Sequence, residues 1–265
     1  VNLAVDRAFQ YPYQSLDFSH FIAGNHAYPL LRYERENIGK SLVLSENRKS
    51  RIGDVVSDLA LSDEPRFPLI AYGANASFDG LARKFRDSGE EDDSALPVLR
   101  GSIRGIDVGF SPHFSSYGAL PATLVSAPSV DLRVSILMVT QDQFDLLAKT
   151  EVNYHYGWLS STEFSCSAGS MREDLYAFIS RHGALEIEGA VTSLASVEAS
   201  GRQTPSMTEE EVLEAVSEKL GEPDAQTLVT KVVTNYVWAI DMAPELRTSY
   251  EPFDHPDWVY AFKQG

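Results

Sequence analysis

A single cysteine, Cys166, stands in 265 residues. No intrachain disulfide can form, so the chain is not a stapled scaffold and its fold has to rest on a packed core. Cys166 lies in a serine-rich run, residues 160 to 170, with no recognisable base beside it, and reads as an incidental thiol. Positive charge is also scarce. The chain has 22 Lys and Arg against 38 Asp and Glu, a net charge of −16. This balance works against binding nucleic acid or an anionic membrane surface through bulk electrostatics. No apolar run approaches the ~20 residues needed to cross a bilayer. The first residues, Val1-Asn2-Leu3, lack a basic-then-apolar leader pattern, and the expected location is cytoplasmic.

Chemical motifs are missing too. The six histidines (His20, His26, His113, His155, His182 and His255) form no pair with metal-ligand spacing near the cysteine. There is no Gly-x-Ser-x-Gly elbow, no phosphate loop and no Gly-x-Gly-x-x-Gly. Neither a metal nor a cofactor is expected. No internal repeat or low-complexity tract interrupts the chain.

What the chain does contain is 43% hydrophobic and 11% aromatic residues, enough to build a core. Residues 1–66 are aromatic and polar with weak periodicity, and Tyr11, Tyr13, Phe18 and Phe21 suggest an extended segment packed on something else. Residues 41–45 read as a short strand. Pro68-Leu69-Ile70-Ala71-Tyr72 reads as a buried strand that turns at Gly73. Phe78, Leu81 and Phe85 then show helical spacing, and the helix closes on Arg83, Lys84 and Arg86, as its dipole favours. The acidic run Glu90-Glu91-Asp92-Asp93 reads as an exposed loop.

Strands are expected at 98–103, 106–110, 122–126 and 132–139, with a turn at Ala127-Pro128-Ser129. Thr140-Gln141-Asp142-Gln143 is a capping box that opens a helix ending near Lys149, and Glu151 follows directly. Similar boxes at 170–173 and 208–211 predict helices through Ile179 and Leu220. Helical spacing continues over 225–240. Residues 194–199 read as a strand.

In order, the middle of the chain shows Ala71-Tyr72-Gly73-Ala74-Asn75, then Leu81-Ala82-Arg83, then Val98-x-x-Gly101-x-x-x-Gly105-x-x-x-x-Phe110. Ala122-Thr123-Leu124-x-x-x-Pro128 and Phe144-x-x-Leu147-x-x-x-Glu151 follow. This succession resembles the gamma-glutamyl cyclotransferase-like family, which includes the AIG2-like proteins, over about a third of the chain. The resemblance implies an α+β fold: a mixed β-barrel flanked by helices, here with N- and C-terminal extensions. Residues 1–66 would be an extension packed on the core, 67–165 the cyclotransferase-like core, and 166–265 a helical extension in one compact unit with it.

The resemblance also implies a reaction. A gamma-glutamyl amide closes on itself to 5-oxoproline and releases an amine, with no metal or cofactor. Glu151 matches the family's catalytic glutamate. Tyr72, Gly73, Ala74 and Asn75 would bind substrate, with Tyr154 or Tyr156 as a further hydrogen-bonding group. The partner is then a small molecule with a gamma-glutamyl or similar amide; the oligomeric state is left open. A base that works near neutral pH calls for an apolar pocket, for which Phe144 and Leu147 are candidates. A glycine at the bend permits close approach and a positive φ, and its free N–H groups suit a carboxylate.

Two positions depart from the family. Ala74 stands where serine is usual, and Val152 where glycine usually follows the glutamate. A β-branched residue does not readily take φ > 0, so the backbone there should differ. The alternatives are a non-catalytic relative that binds a small ligand or a protein, and an amide hydrolase or acyltransferase using the same pocket.

Overall fold

The computed structural model describes residues 2–57, 61, 64–88, 95–247 and 253–261. The acidic run 90–93 lies outside the described residues. Helix α1 (Asn2–Phe9) leads to strands β1 (His20–Ala23), β2 (His26–Arg32), β3 (Leu42–Ser45) and β4 (Arg48–Arg51) and the short helix α2 (Ile52–Val55). Then come β5 (Phe67–Ala71), α3 (Phe78–Ser88), β6 (Leu96–Phe110), β7 (Ala122–Val139), α4 (Gln141–Ala148), β8 (Tyr154–Cys166) and β9 (Met171–Ser180). Five two-residue strands between Glu186 and Met207 lead to helices α5 (Glu209–Lys219), α6 (Ala225–Thr234) and α7 (Tyr236–Leu246), and a last short strand, Trp258–Tyr260, pairs with β8.

Five strands close on themselves. β7 pairs antiparallel with β5, β5 parallel with β9, and β9 antiparallel with β8. β8 then pairs antiparallel with β6, and β6 with β7. Closure leaves these strands no free edge. The expected α+β architecture, a mixed barrel flanked by helices, is the one observed.

Where α3 and α4 cover the wall, β5 and the last residues of β7 are buried on both faces and are apolar almost throughout. Leu69, Ala71, Leu137 and Val139 belong to a cluster with Leu81 and Phe85 of α3 and Phe144, Leu146 and Leu147 of α4. Their neighbours Ile70, Tyr72, Ile136 and Met138 belong to the larger core. The period-two alternation of a strand makes this split.

Several expectations are corrected. The four short strands in the middle are two long ones, β6 and β7, which remain one ladder across a bulge: Arg104 pairs with Asp131, and Gly105 with Ala127. The Pro128 turn is therefore a bulge in a bent strand, which suits a residue with no N–H to give. The helix expected over 170–179 is strand β9. There Leu175, Ala177 and Ile179 join the larger core while Phe178 joins the cluster under α3 and α4, and pairing with β8 overrides the local capping signal. The segment 194–199 is reduced to the two-residue strands Ser193–Leu194 and Ala199–Ser200. The helix expected over 225–240 is two helices, broken at Asn235, whose side chain caps α7 by accepting from Trp238 N. The N-terminal stretch expected to be extended opens with α1, which buries Val5 and Ala8 and packs against α5 and α6. Among the described residues no helix is long and apolar enough to cross a membrane.

Candidate functional site

β5 ends at Ala71 and the chain bends through Tyr72 and Gly73 into a single 3-10 turn, Ala74–Ala76. The bend is closed by Ala76 N donating to Gly73 O at 2.9 Å, and Ser77 Oγ caps α3 by accepting from Gly80 N at 2.9 Å. Tyr72 is buried, and its hydroxyl donates to the carbonyl of Phe178 on β9. Gly73 has φ −115°, outside the left-handed region, so a positive φ is not its role. Close approach is. A Cβ there would lie 2.6 Å from the hydroxyl of Tyr11. That hydroxyl accepts from Ala122 N at 2.7 Å, while Tyr154 donates to Ala122 O at 2.8 Å. Two tyrosines thus grip the first residue of β7.

The opposite wall is the turn after α4. Its capping box forms as expected, with Thr140 and Gln143 exchanging bonds. At the other end Thr150 N donates to Leu147 O and Glu151 N to Ala148 O, both at 3.0 Å. This tight turn fixes Glu151. Val152 keeps a backbone outside the left-handed region, so glycine is not needed there.

The two walls meet. Asn75 Nδ2 donates to Glu151 Oε1 at 3.1 Å, although the residues are 76 apart in sequence. Lys84 Nζ, from α3, reaches the same oxygen at 3.0 Å and Thr150 Oγ1 at 2.7 Å. Thr150 Oγ1 lies 3.4 Å from Oε1 as well. All these contacts fall on Oε1; among the described residues Oε2 has no partner. The side chains of Glu151 and Lys84 are 16% and 20% exposed, so the pair is sheltered without being sealed. Asn75 Oδ1 is buried without a hydrogen-bond partner.

These groups line a cavity of about 510 Å³, within the range of small-molecule sites. Tyr72, Gly73, Ala74, Asn75, Glu151 and Tyr154 all border it. Tyr156 does not. It packs edge-on against Phe144 at 5.4 Å between centroids, in the cluster under α3 and α4. Phe144 and Leu147, the expected apolar neighbours of Glu151, pack in that cluster, where Phe144 meets Phe67, Tyr156 and Phe178. The groups that contact the carboxylate are a lysine and an amide.

The sequence reading missed Tyr11, Lys84 and His113. Lys84 was legible only as a helix-terminal base. Tyr11 and His113 carry no local signal. Burial, followed by the charge of Glu151, pushes the Tyr72 phenol well above its ordinary value. Burial does the same to Tyr154 and Tyr11, so all three remain neutral hydrogen-bonding groups. Burial pushes His113 down to about 3, which leaves it neutral. Its Nδ1 shares a 2.7 Å hydrogen bond with Ser111 Oγ, and its ring meets Tyr154 edge-on. No group of three or more metal-ligating side chains occurs among the described residues.

No family model matches the chain. A search of curated proteins also finds no match. Among solved structures, it is similar to the Arabidopsis thaliana protein At3g28950.1 at 13% sequence identity and a TM-score of 0.34, over 46% of this chain and 66% of that one. It is similar to At5g39720.1 of the same plant at 16% identity and a TM-score of 0.31, over 45% of this chain and 71% of that one.

Proposed function

We propose that the protein is a gamma-glutamyl cyclotransferase-like enzyme, cleaving a gamma-glutamyl amide by internal cyclisation to 5-oxoproline. One observation carries this reading: the Glu151 carboxylate and the Tyr72–Asn75 bend share a cavity and are joined through Asn75. Substrate ring closure is intramolecular, so holding the molecule folded removes much of the entropic barrier. Proton traffic remains. The substrate ammonium gives up one proton to become a nucleophile and a second as its nitrogen becomes the ring amide. The leaving nitrogen takes both as it departs as an ammonium. Glu151 is the carrier, through Oε2, while Asn75 and Lys84 hold Oε1. The N–H groups of Ala74 and Asn75 have no internal partner among the described residues and suit a carboxylate or a developing oxyanion.

A second reading, a relative that only binds its ligand, is favoured by the hydroxyl missing at Ala74. Product analysis separates the readings. Mass spectrometry of the protein with gamma-glutamyl amides should show 5-oxoproline and free amine, and Glu151→Gln, folded, should not produce them. Free glutamate as the product indicates hydrolysis, and unchanged turnover in Glu151→Gln removes that residue from the chemistry.

A further inference from the structure

The same cavity has an end that the cyclisation does not use. Its lining includes three cations, Arg7, Arg83 and Lys84, in a chain of net charge −16. Lys84 is paired with Glu151. Arg7 and Arg83 are half-buried, and neither has a carboxylate partner among the described residues. Asp87 also borders the cavity, one turn beyond Arg83, but it is exposed and forms no ion pair among the described residues.

Aromatic faces hold the two guanidiniums in place. Arg7 Cζ lies 4.0 Å from the centre of the Tyr117 ring, and Arg7 Nε donates to Tyr13 OH at 2.7 Å. Arg83 Cζ lies 5.5 Å from the Tyr13 ring, with Arg7 Cζ at 5.9 Å from the same ring. Tyr13, at φ 72°, thus borders both guanidiniums. The Tyr117 ring covers a face of the Arg7 guanidinium and the Tyr13 ring lies within cation–π range of Arg83, contacts that leave the remaining N–H groups to donate. A sheltered cation without a counterion is costly, and arginine presents the planar fork that oxyanions fit.

We propose that Arg7 and Arg83 form a distal anion subsite, so that the amine released from the gamma-glutamyl group is one that carries an oxyanion, a carboxylate or a phosphate. The inference rests on the cyclotransferase reading for the rest of the substrate. Arg83 belongs to the stretch that resembles the family and Arg7 to α1, which lies outside it, so α1 and α3 together select the leaving group.

Calorimetry on the Glu151→Gln protein tests binding without turnover, with three probes: gamma-glutamylglutamate, gamma-glutamyl-phosphoethanolamine and gamma-glutamylethylamide. An anionic probe should bind at least about tenfold tighter than the neutral ethylamide, as expected for charge-assisted hydrogen bonds. Which of the two binds tighter tells carboxylate from phosphate. Adding Arg7→Gln or Arg83→Gln should shrink that ratio toward one, and added salt should weaken the anionic probes alone. A ratio near one, a ratio insensitive to both substitutions in folded protein, or no binding of any probe overturns the subsite. 5-Oxoproline release by the wild-type protein keeps the two ideas apart. Equal KM and turnover on all three probes would uphold the cyclisation and remove the subsite. Arginine-dependent binding with no 5-oxoproline from any probe would do the reverse.

Discussion

The two ends of the cavity are built on opposite plans. At one end, Glu151 is tied to Asn75, Lys84 and Thr150, and a single oxygen takes every contact. At the other, Arg7 and Arg83 lean on tyrosine rings and meet no carboxylate among the described residues. A group that carries protons has to be held still with one atom free. A group that receives a ligand has to be positioned without being satisfied. Tyr11 joins the ends, its hydroxyl against Gly73 and its ring edge-on to Tyr13 at 6.0 Å.

The contrast can be broken at several points. The largest effect is expected from Glu151→Gln, which removes the proposed proton carrier and should lower kcat for 5-oxoproline release by about 10²–10⁴-fold with little change in KM. A comparable fall in substrate affinity would instead mark Glu151 as a binding group. Next is Gly73→Ala, whose Cβ meets the Tyr11 hydroxyl at 2.6 Å. Overpacking of this kind costs roughly 2 kcal/mol in denaturant unfolding. Combining it with Tyr11→Phe should cost less than the two separate changes together, because the clashing atom is gone. Strict additivity would mean the two residues do not touch.

A smaller effect lies in acid stability. Burial holds the folded-state pKa of His113 at about 3, below the ordinary 6.5. Unfolded chains therefore bind a proton that the folded protein refuses. The stability is fully present above pH 6.5 and is lost as pH falls toward 3, on the order of 2–3 kcal/mol between pH 6 and 4. His113→Asn, which keeps a partner for Ser111, should flatten that slope in urea titrations; an unchanged slope assigns the acid loss to other groups. The smallest change is expected from Lys84→Met. It frees Glu151 from its cation while Asn75 still holds the carboxylate, and kcat should shift by about tenfold or less. A loss as large as that of Glu151→Gln would make Lys84 a proton carrier in its own right.

Much of the barrel was legible because its strands and caps carry local signals. β5 was readable from a five-residue apolar run before Gly73, and α4 from Thr140 and Gln143. β9 was not, since Ser170 to Glu173 mimics a helix cap and only the neighbouring strands β8 and β5 show the segment to be a strand. Tyr154 and Tyr156 were indistinguishable by spacing. Both lie on β8, yet one borders the cavity and the other packs on Phe144. Position along a barrel strand relative to its open end is a tertiary fact.

By itself, then, the order of residues determined the glycine-bearing bend and an acidic residue just past a capped helix. Each of these follows from interactions within a few residues. Only the closed barrel decided that Asn75 reaches Glu151, that Lys84 shares the same oxygen, and that Arg7 and Tyr11 from the first turns of the chain complete the cavity wall. Those contacts join residues tens of positions apart. Burial and strand pairing fix them, and no local pattern encodes either.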